Sequence, residues 1–140
     1  MLATRMAVLP IRAPDPPPAR RLPARSLPPY RYVPGRGPHP FRDPRGHLYT
    51  DGSAPAEAPW DPSAPWATDE RWLWACELFD QRYWWEAHEA WEALWHQVPR
   101  GSEEHALLQG LIQVAACLLK RHLGEDRAAD RLQARALKRL

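Results

Sequence analysis

The sequence has only two cysteines among its 140 residues, Cys76 and Cys117, and both lie inside apolar segments with no C-x-x-C spacing. This pattern gives no support to a disulfide framework or a zinc knuckle, and it favours a reducing, cytoplasmic setting. No apolar run approaches the length of a membrane span, so we expect no membrane association. A serine nucleophile elbow, a phosphate-binding glycine loop and a dinucleotide fingerprint are also missing, which weakens the case for an enzyme.

Proline is almost missing from the second half of the chain. Sixteen of the seventeen prolines lie at or before Pro65, and only Pro99 follows. Regular helix is therefore excluded from the first half and permitted in the second. We divide the chain into an extended or disordered arm over residues 1–29, an irregular strap over 30–65 and a helical domain over 66–140. The sequence thus predicts an all-α fold, a compact bundle of about four helices with a Pro/Arg-rich arm that is packed on it or partly disordered.

The two halves carry opposite charge. Residues 1–50 have nine arginines against Asp15 and Asp43, or +7, whereas residues 51–140 have ten basic and fifteen acidic side chains, or −5. Such an arm can seek nucleic acid or fold back on its own acidic domain. We favour the second interpretation, because the arginines are spread among prolines and not clustered.

Four helices are predicted beyond Pro65. The third is apolar on almost every side, which is typical of a central helix, and Gly110 lies on a narrow stripe where another backbone can approach it. The first helix is expected to bury Trp72, Ala75, Cys76 and Phe79. The helices are expected to run from a cap at Thr68 or Asp69 to about Asp80, from about Tyr83 to Gln97, from a cap at Ser102 to Gly124, and from about Asp126 toward Leu140.

The densest chemistry lies between Tyr83 and His96, where four tryptophans, three glutamates and two histidines share four turns of predicted helix. Residues three and four apart lie on one helix face, so these side chains can pair with one another. We interpret them as a buried polar network, because buried polar groups need hydrogen-bond partners. Its predicted members are His88, Glu89, Glu92, the lining residues Trp84, Trp91 and Trp95, and Gln109 and Gln113 from the third helix.

A metal or a catalytic site is the alternative interpretation of the same residues. The run from His88 to Glu92 differs from the zinc-protease pattern H-E-x-x-H only by a glutamate in place of the second histidine. His96 cannot join these two on one ion, because eight residues of helix rise about 12 Å. We therefore expect no metal; if one is present, His88 and Glu92 would hold it. His88, Glu89 and Glu92 are also the candidate catalytic residues of a metal-dependent or acid/base enzyme.

These segments resemble a known family. The runs FDQRYWWEAHEAWEALW (79–95), LQGLIQVAA (108–116) and LKRHLG (119–124) are similar to the bacterial family called domain of unknown function 309, over about residues 70–140. The stretch 30–49 resembles the lead-in of longer members. One departure is the run from Arg127 to Asp130, where the family usually has a Gly-Ala pair. The resemblance implies a compact all-α fold and no established activity.

Three functions remain, in order of preference. The first is a binding or interaction module, because Trp72 and Trp74, or Trp84 and Trp85, cannot all face one small core and exposed aromatics often mark partner surfaces. The expected partner of such a module is a second copy of this chain, bound through exposed tryptophans to form a homodimer. The second is the small metal-dependent or acid/base enzyme, and the third is a nucleic-acid-associated protein that uses the arginine-rich arm. We expect no cofactor, and nucleic acid is the least favoured partner.

Overall fold

A computed structural model of the protein describes residues 7–52 and 58–140. A short 3₁₀ turn, Trp66–Thr68, precedes four α-helices: α1 (Glu70–Asp80), α2 (Trp84–Trp95), α3 (Glu103–His122) and α4 (Asp126–Arg139). Within the described ranges there is no β-strand, only an isolated bridge between Val33 and Arg36. The predicted all-α bundle of about four helices is confirmed. Residues 1–6 of the predicted arm and 53–57 of the predicted strap lie outside the described residues.

Side-chain caps set the beginnings of two helices. The Asp69 carboxylate accepts hydrogen bonds from the backbone N–H groups of Arg71 and Trp72, at 2.9 and 3.2 Å, and so begins α1. Ser102 Oγ accepts from the His105 N–H at 3.1 Å and begins α3. Each bond satisfies a backbone donor that has no partner inside its helix, a contribution of about 1 kcal/mol.

Helix α3 lies at the centre of the bundle, as its apolar surface predicts. It packs against α2 on one side and against α4 on the other. Gly110 allows the end of α4 to approach closely, because a Cβ there would lie 2.8 Å from Cδ2 of Leu140. The main core cluster comprises Ala75, Leu78, Tyr83, Ala87, Trp91, Leu94, Val98, Leu108 and Ala115.

Helix α1 buries more than its predicted apolar stripe. Of that stripe only Ala75 is fully buried; Trp72, Cys76 and Phe79 are partly buried against the main core cluster. Leu78, Glu77 and Gln81 are buried as well. The apolar stripe does not predict the burial of these three residues, because α1 is covered by the arm as well as by the other helices.

The arm and the strap fold back on the helical domain through their arginines. Arg20 and Arg21 form ion pairs with Glu77 and Asp80 of α1. Farther along, Nε of Arg31 donates to the carbonyl oxygen of Gln81 at 2.8 Å, just after α1. In the described part of the chain, the positive charge of the first half is therefore used partly in contacts with its own acidic half.

All eight tryptophans are at least partly buried. The arm covers Trp74, over whose ring the Arg25 guanidinium lies, and the strap covers Trp85, which Tyr32 and Phe41 contact with ring centroids 5.1 and 5.7 Å apart. The expectation of exposed tryptophans is wrong, because the first half of the chain supplies the cover that four helices alone lack. The homodimer stays a prediction. Among the described residues, no helix is both long and apolar enough to span a bilayer.

Candidate functional site

A cavity of about 490 Å³ opens between the strap and helices α1 and α2. Small-ligand sites in proteins typically have volumes of about 300–1,000 Å³. Its polar wall is formed by Arg25, Ser26, His47, Glu86 and Glu89. The strap and the arm contribute Leu27, Phe41 and Leu48 to the apolar wall, and the helices contribute Trp74, Leu78 and Ala90.

Glu86 is a buried carboxylate in the first turn of α2, and its side chain is only 2% exposed. Its Oε2 accepts a hydrogen bond from the Tyr32 N–H at 3.0 Å and lies 3.0 Å from Nε2 of His47. When Glu86 is ionised it can only accept, and His47 then donates through Nε2 in this contact. Glu86 Oε1 is also buried and has no hydrogen-bond partner among the described residues. Such an unpaired buried acceptor costs about 1–3 kcal/mol, and because Oε1 has almost no accessible surface, a donor from a ligand reaches it only when neighbouring side chains move.

The strap holds His47 against this carboxylate. The His47 side chain is 5% exposed, and its ring meets Tyr30 edge-on with centroids 4.6 Å apart. The His47 N–H also donates to the Tyr30 hydroxyl oxygen at 3.3 Å. A Cβ on Gly46 would collide with the carbonyl oxygens of His39 and Pro40, so this turn of the strap requires glycine. The position of His47 therefore depends on a glycine and a tyrosine of the strap.

Glu89 gives the cavity a second and more accessible carboxylate. It lies one helical turn after Glu86 on the same face of α2, and its side chain is 30% exposed. Ala90 and Ala93 continue this face, and their small side chains leave the space that the cavity occupies. The beginning of α2 is thus the acidic end of the cavity.

Arg25 supplies a cation to the wall of the same cavity. Its Cζ lies 3.9 Å from the ring centroid of Trp74, a cation–π contact. The Arg25 N–H donates to the Leu22 carbonyl oxygen at 3.0 Å, and the Arg25 carbonyl oxygen accepts from the Arg20 side chain. Its guanidinium donates no hydrogen bond to any residue in 7–52 or 58–140. These donors are available to a ligand or to water.

Glu77 anchors the arm that carries Arg25. Its side chain is 1% exposed, and Oε1 accepts from Arg20 Nε at 2.9 Å and from the backbone N–H groups of Arg21 and Leu22 at 2.6 and 3.3 Å. Burial alone would raise the pKa of Glu77, but the hydrogen bonds from Arg20 and from the two backbone groups outweigh it and lower the pKa below its ordinary value. This carboxylate is charged and well satisfied.

The predicted catalytic residues His88, Glu89 and Glu92 come together on α2. Nδ1 of His88 lies 3.4 Å from Glu89 Oε1, and Nε2 lies 3.4 Å from Glu92 Oε2. One ligand atom from each of the three falls within 4.8 Å of the others. The side chains of His88 and Glu92 are 28% and 38% exposed, so the cluster lies near the surface and not at the polar centre of the core.

The predicted link from this cluster to α3 is not formed through Gln113. Gln113 Oε1 is buried without a hydrogen-bond partner among the described residues, while His88 finds its partners on its own helix. Gln109 is half-buried on α3.

The three predicted lining tryptophans have different surroundings. Trp91 is buried in the core, 5.5 Å from Phe79 between ring centroids. Trp84 meets His122 edge-on at 6.3 Å, and Trp95 stacks on His105 of α3 at 4.7 Å. Trp84 also belongs to a second apolar cluster, built around Ile11 and Val33 of the first half.

The family model described as Domain of unknown function (DUF309) matches residues 72–132. Residues 72–132 form a DUF309 domain. No curated protein and no solved structure matches the chain. Within the cavity, Trp74, Glu86 and Glu89 lie inside the matched residues, whereas Arg25 and His47 precede them. The cavity is therefore shared between the DUF309 domain and the segment before it.

The cavity offers acid/base groups but lacks an assembled nucleophile. Ser26 lines it, yet the Ser26 hydroxyl forms no hydrogen bond with His47 in the described structure. A serine nucleophile needs its base within hydrogen-bond reach.

Sequence reasoning missed His47, Glu77 and Glu86 as functional or anchoring residues. A signal was present for Glu86, because it follows Tyr83 and precedes Ala90 at helical spacing within an apolar face of the DUF309 domain. A carboxylate in such a face is buried and needs donors from outside its helix. Nothing in the sequence indicates that the donors are Tyr32 and His47.

Proposed function

We propose that this protein is a binding module that takes up a small apolar organic cation in the cavity between the strap and helices α1 and α2. The main support is Glu86, a buried carboxylate that lines the cavity and has one oxygen without a partner among the described residues. An ammonium group would supply both a hydrogen-bond donor and the opposite charge.

The rest of the cavity wall favours the same class of ligand. Glu89 adds a second carboxylate one turn away, and its greater exposure lets it meet an incoming cation first. Leu27, Phe41 and Leu78 would cover the hydrocarbon part of the ligand. Each Å² of apolar surface removed from water contributes about 25 cal/mol, so a short alkyl chain adds useful affinity.

Hexylammonium is a suitable probe, with hexanol as the matched ligand that lacks the charge. By isothermal titration calorimetry we expect hexylammonium to bind at least about tenfold more tightly than hexanol, since a charge-assisted hydrogen bond contributes about 1.5–3 kcal/mol. Glu89→Gln should weaken hexylammonium about tenfold. Glu92→Gln, on the same helix but outside the cavity wall, should leave binding unchanged. Equal affinities for the two probes, or equal effects of the two variants, would count against the proposal.

A metal-binding role is the second candidate function, and it is supported by the cluster of His88, Glu89 and Glu92. Their ligand atoms lie within 4.8 Å of one another, and a histidine with two carboxylates is an acceptable zinc set that leaves coordination positions open. We expect Zn²⁺ titrated into the protein to bind at one site that His88→Ala abolishes and His96→Ala retains. Binding that is equally sensitive to both substitutions would place the ion elsewhere.

A further inference from the structure

A second, smaller cavity lies next to the first. It has a volume of about 100 Å³, shares Arg25, Trp74, Ala90 and Ala93 with the first and adds Arg71 and Leu94. Because the two cavities share these four residues, they are neighbours along α1 and α2, and we call the pair the groove.

Of the two arginines in the groove, Arg25 is the one with unused donors. Arg71 already donates to the Gln97 side chain at 2.9 Å and to the Ala58 carbonyl oxygen at 2.6 Å. The Arg25 guanidinium lies over the Trp74 ring and donates no side-chain hydrogen bond within the described ranges. A planar guanidinium presented in this way fits the two oxygens of a carboxylate or a phosphate.

The wall that α2 contributes sets the length of the groove. Its first and last residues are Glu86 and Ala93, and Ala90 and Ala93 also line the smaller cavity together with Arg25. At 1.5 Å per residue, Ala90 and Ala93 are about 6–10 Å from Glu86 along the helix axis. A ligand that lies along this wall can therefore carry two charged groups at about that separation.

We infer that the ligand is a zwitterion, with an ammonium group at Glu86 and Glu89 and an anionic oxygen group, carboxylate or phosphate, at Arg25, joined by an apolar chain. This inference rests on the proposed function and adds a second recognition element to it. Arg25 is then the residue that distinguishes a zwitterion from a simple organic cation.

Calorimetric titration with a matched set of ligands tests the inference. Aminohexanoate carries both charges on a chain that spans the groove, hexylammonium lacks the anion, and aminopropanoate has both charges too close together. We expect aminohexanoate to bind about tenfold more tightly than hexylammonium, because it adds one charge-assisted contact. Aminopropanoate should not show this gain. Aminopentyl phosphate should show the gain in place of aminohexanoate if the groove selects phosphate.

Variants of Arg25 assign the gain to its guanidinium. Arg25→Gln should bring aminohexanoate, or the phosphate if that is preferred, down to the affinity that the same variant shows for hexylammonium. Arg25→Lys should retain part of the gain, since the charge stays and the planar fork is lost. The control Arg127→Gln, on the exposed face of α4, should leave every affinity unchanged. A thermal melt of each variant verifies folding.

The outcomes separate this inference from the proposed function. If hexylammonium binds and neither aminohexanoate nor aminopentyl phosphate binds more tightly, the zwitterion is ruled out and the simple cation site stands. A gain that persists in Arg25→Gln also overturns the inference. If no ammonium ligand binds, both the inference and the proposed function fail.

Discussion

Two buried glutamates on successive helices, Glu77 of α1 and Glu86 of α2, have similar burial but different surroundings. Both side chains are at most 2% exposed, and both accept hydrogen bonds from backbone N–H groups of the proline-rich first half. Glu77 also pairs with Arg20, and both of its oxygens have donors. Glu86 has a histidine in place of the arginine, and its Oε1 has no partner among the described residues.

The difference indicates different roles for the two carboxylates. A buried charge with a full set of donors holds two parts of a chain in one arrangement, and its removal leaves those donors unpaired. A buried carboxylate with a vacant oxygen beside a cavity stabilises the fold less and retains capacity for a ligand. Glu77 therefore attaches the arm, and under the proposed function Glu86 takes part in binding.

The largest expected effect is the contrast between Glu77→Gln and Glu86→Gln in stability. Glu77→Gln removes the charge that Arg20 is paired with, and we expect it to lower the free energy of unfolding by about 3 kcal/mol. Glu86→Gln keeps an oxygen for Tyr32 and His47 and removes the cost of a buried charge. Its free energy of unfolding should therefore change by less than about 1 kcal/mol. Urea unfolding of both variants gives the comparison.

The same pair of variants should show the reverse order in ligand binding. Glu86→Gln should weaken hexylammonium, and Glu77→Gln, measured where it remains folded, should do so less. If Glu86→Gln destabilises the protein as much as Glu77→Gln does, the assignment of separate roles is wrong.

A second contrast compares the histidine of the strap with the histidine of the DUF309 motif. His47→Ala removes a buried partner of Glu86, and we expect a loss of about 2 kcal/mol. His88→Ala removes half-exposed contacts at 3.4 Å within one helix, for which about 0.5 kcal/mol is expected. Thermal or urea unfolding measures both. If His88→Ala loses more stability than His47→Ala does, the result would support the buried network that the sequence predicts.

Much of the fold could be predicted from the sequence, because its determinants are local. Pro99, the caps at Asp69 and Ser102 and the apolar periodicity of α3 act within a few residues, and the four helices begin and end close to where these signals place them. The central position of α3 follows from its apolar surface alone.

The site could be predicted only in part, because its contacts are distant in sequence. The grouping of His88, Glu89 and Glu92 follows from helical spacing, and the structure shows it. The pairing of Glu86 with Tyr32 and His47 joins residues that are 54 and 39 positions apart, through a segment with no regular period. Periodicity cannot predict such a contact, since proline-rich chain has no preferred face.

The smallest expected effect is the acid dependence of stability that Glu77 contributes. Its pKa is lowered in the folded protein, so the stabilisation is fully present above the unfolded pKa of about 4.3 and is lost as the pH falls through the folded pKa. Burial opposes the hydrogen bonds that lower this pKa. The stability lost on acidification should therefore be smaller than the stability that Glu77→Gln loses at neutral pH. Urea unfolding between neutral pH and about pH 3 should show a decline that is shallower in Glu77→Gln and unchanged in the exposed control Glu103→Gln. An equal decline in the free energy of unfolding of the wild type and of Glu77→Gln would show that folding does not lower the pKa of Glu77. The contrast with Glu86 would then rest on hydrogen bonds alone.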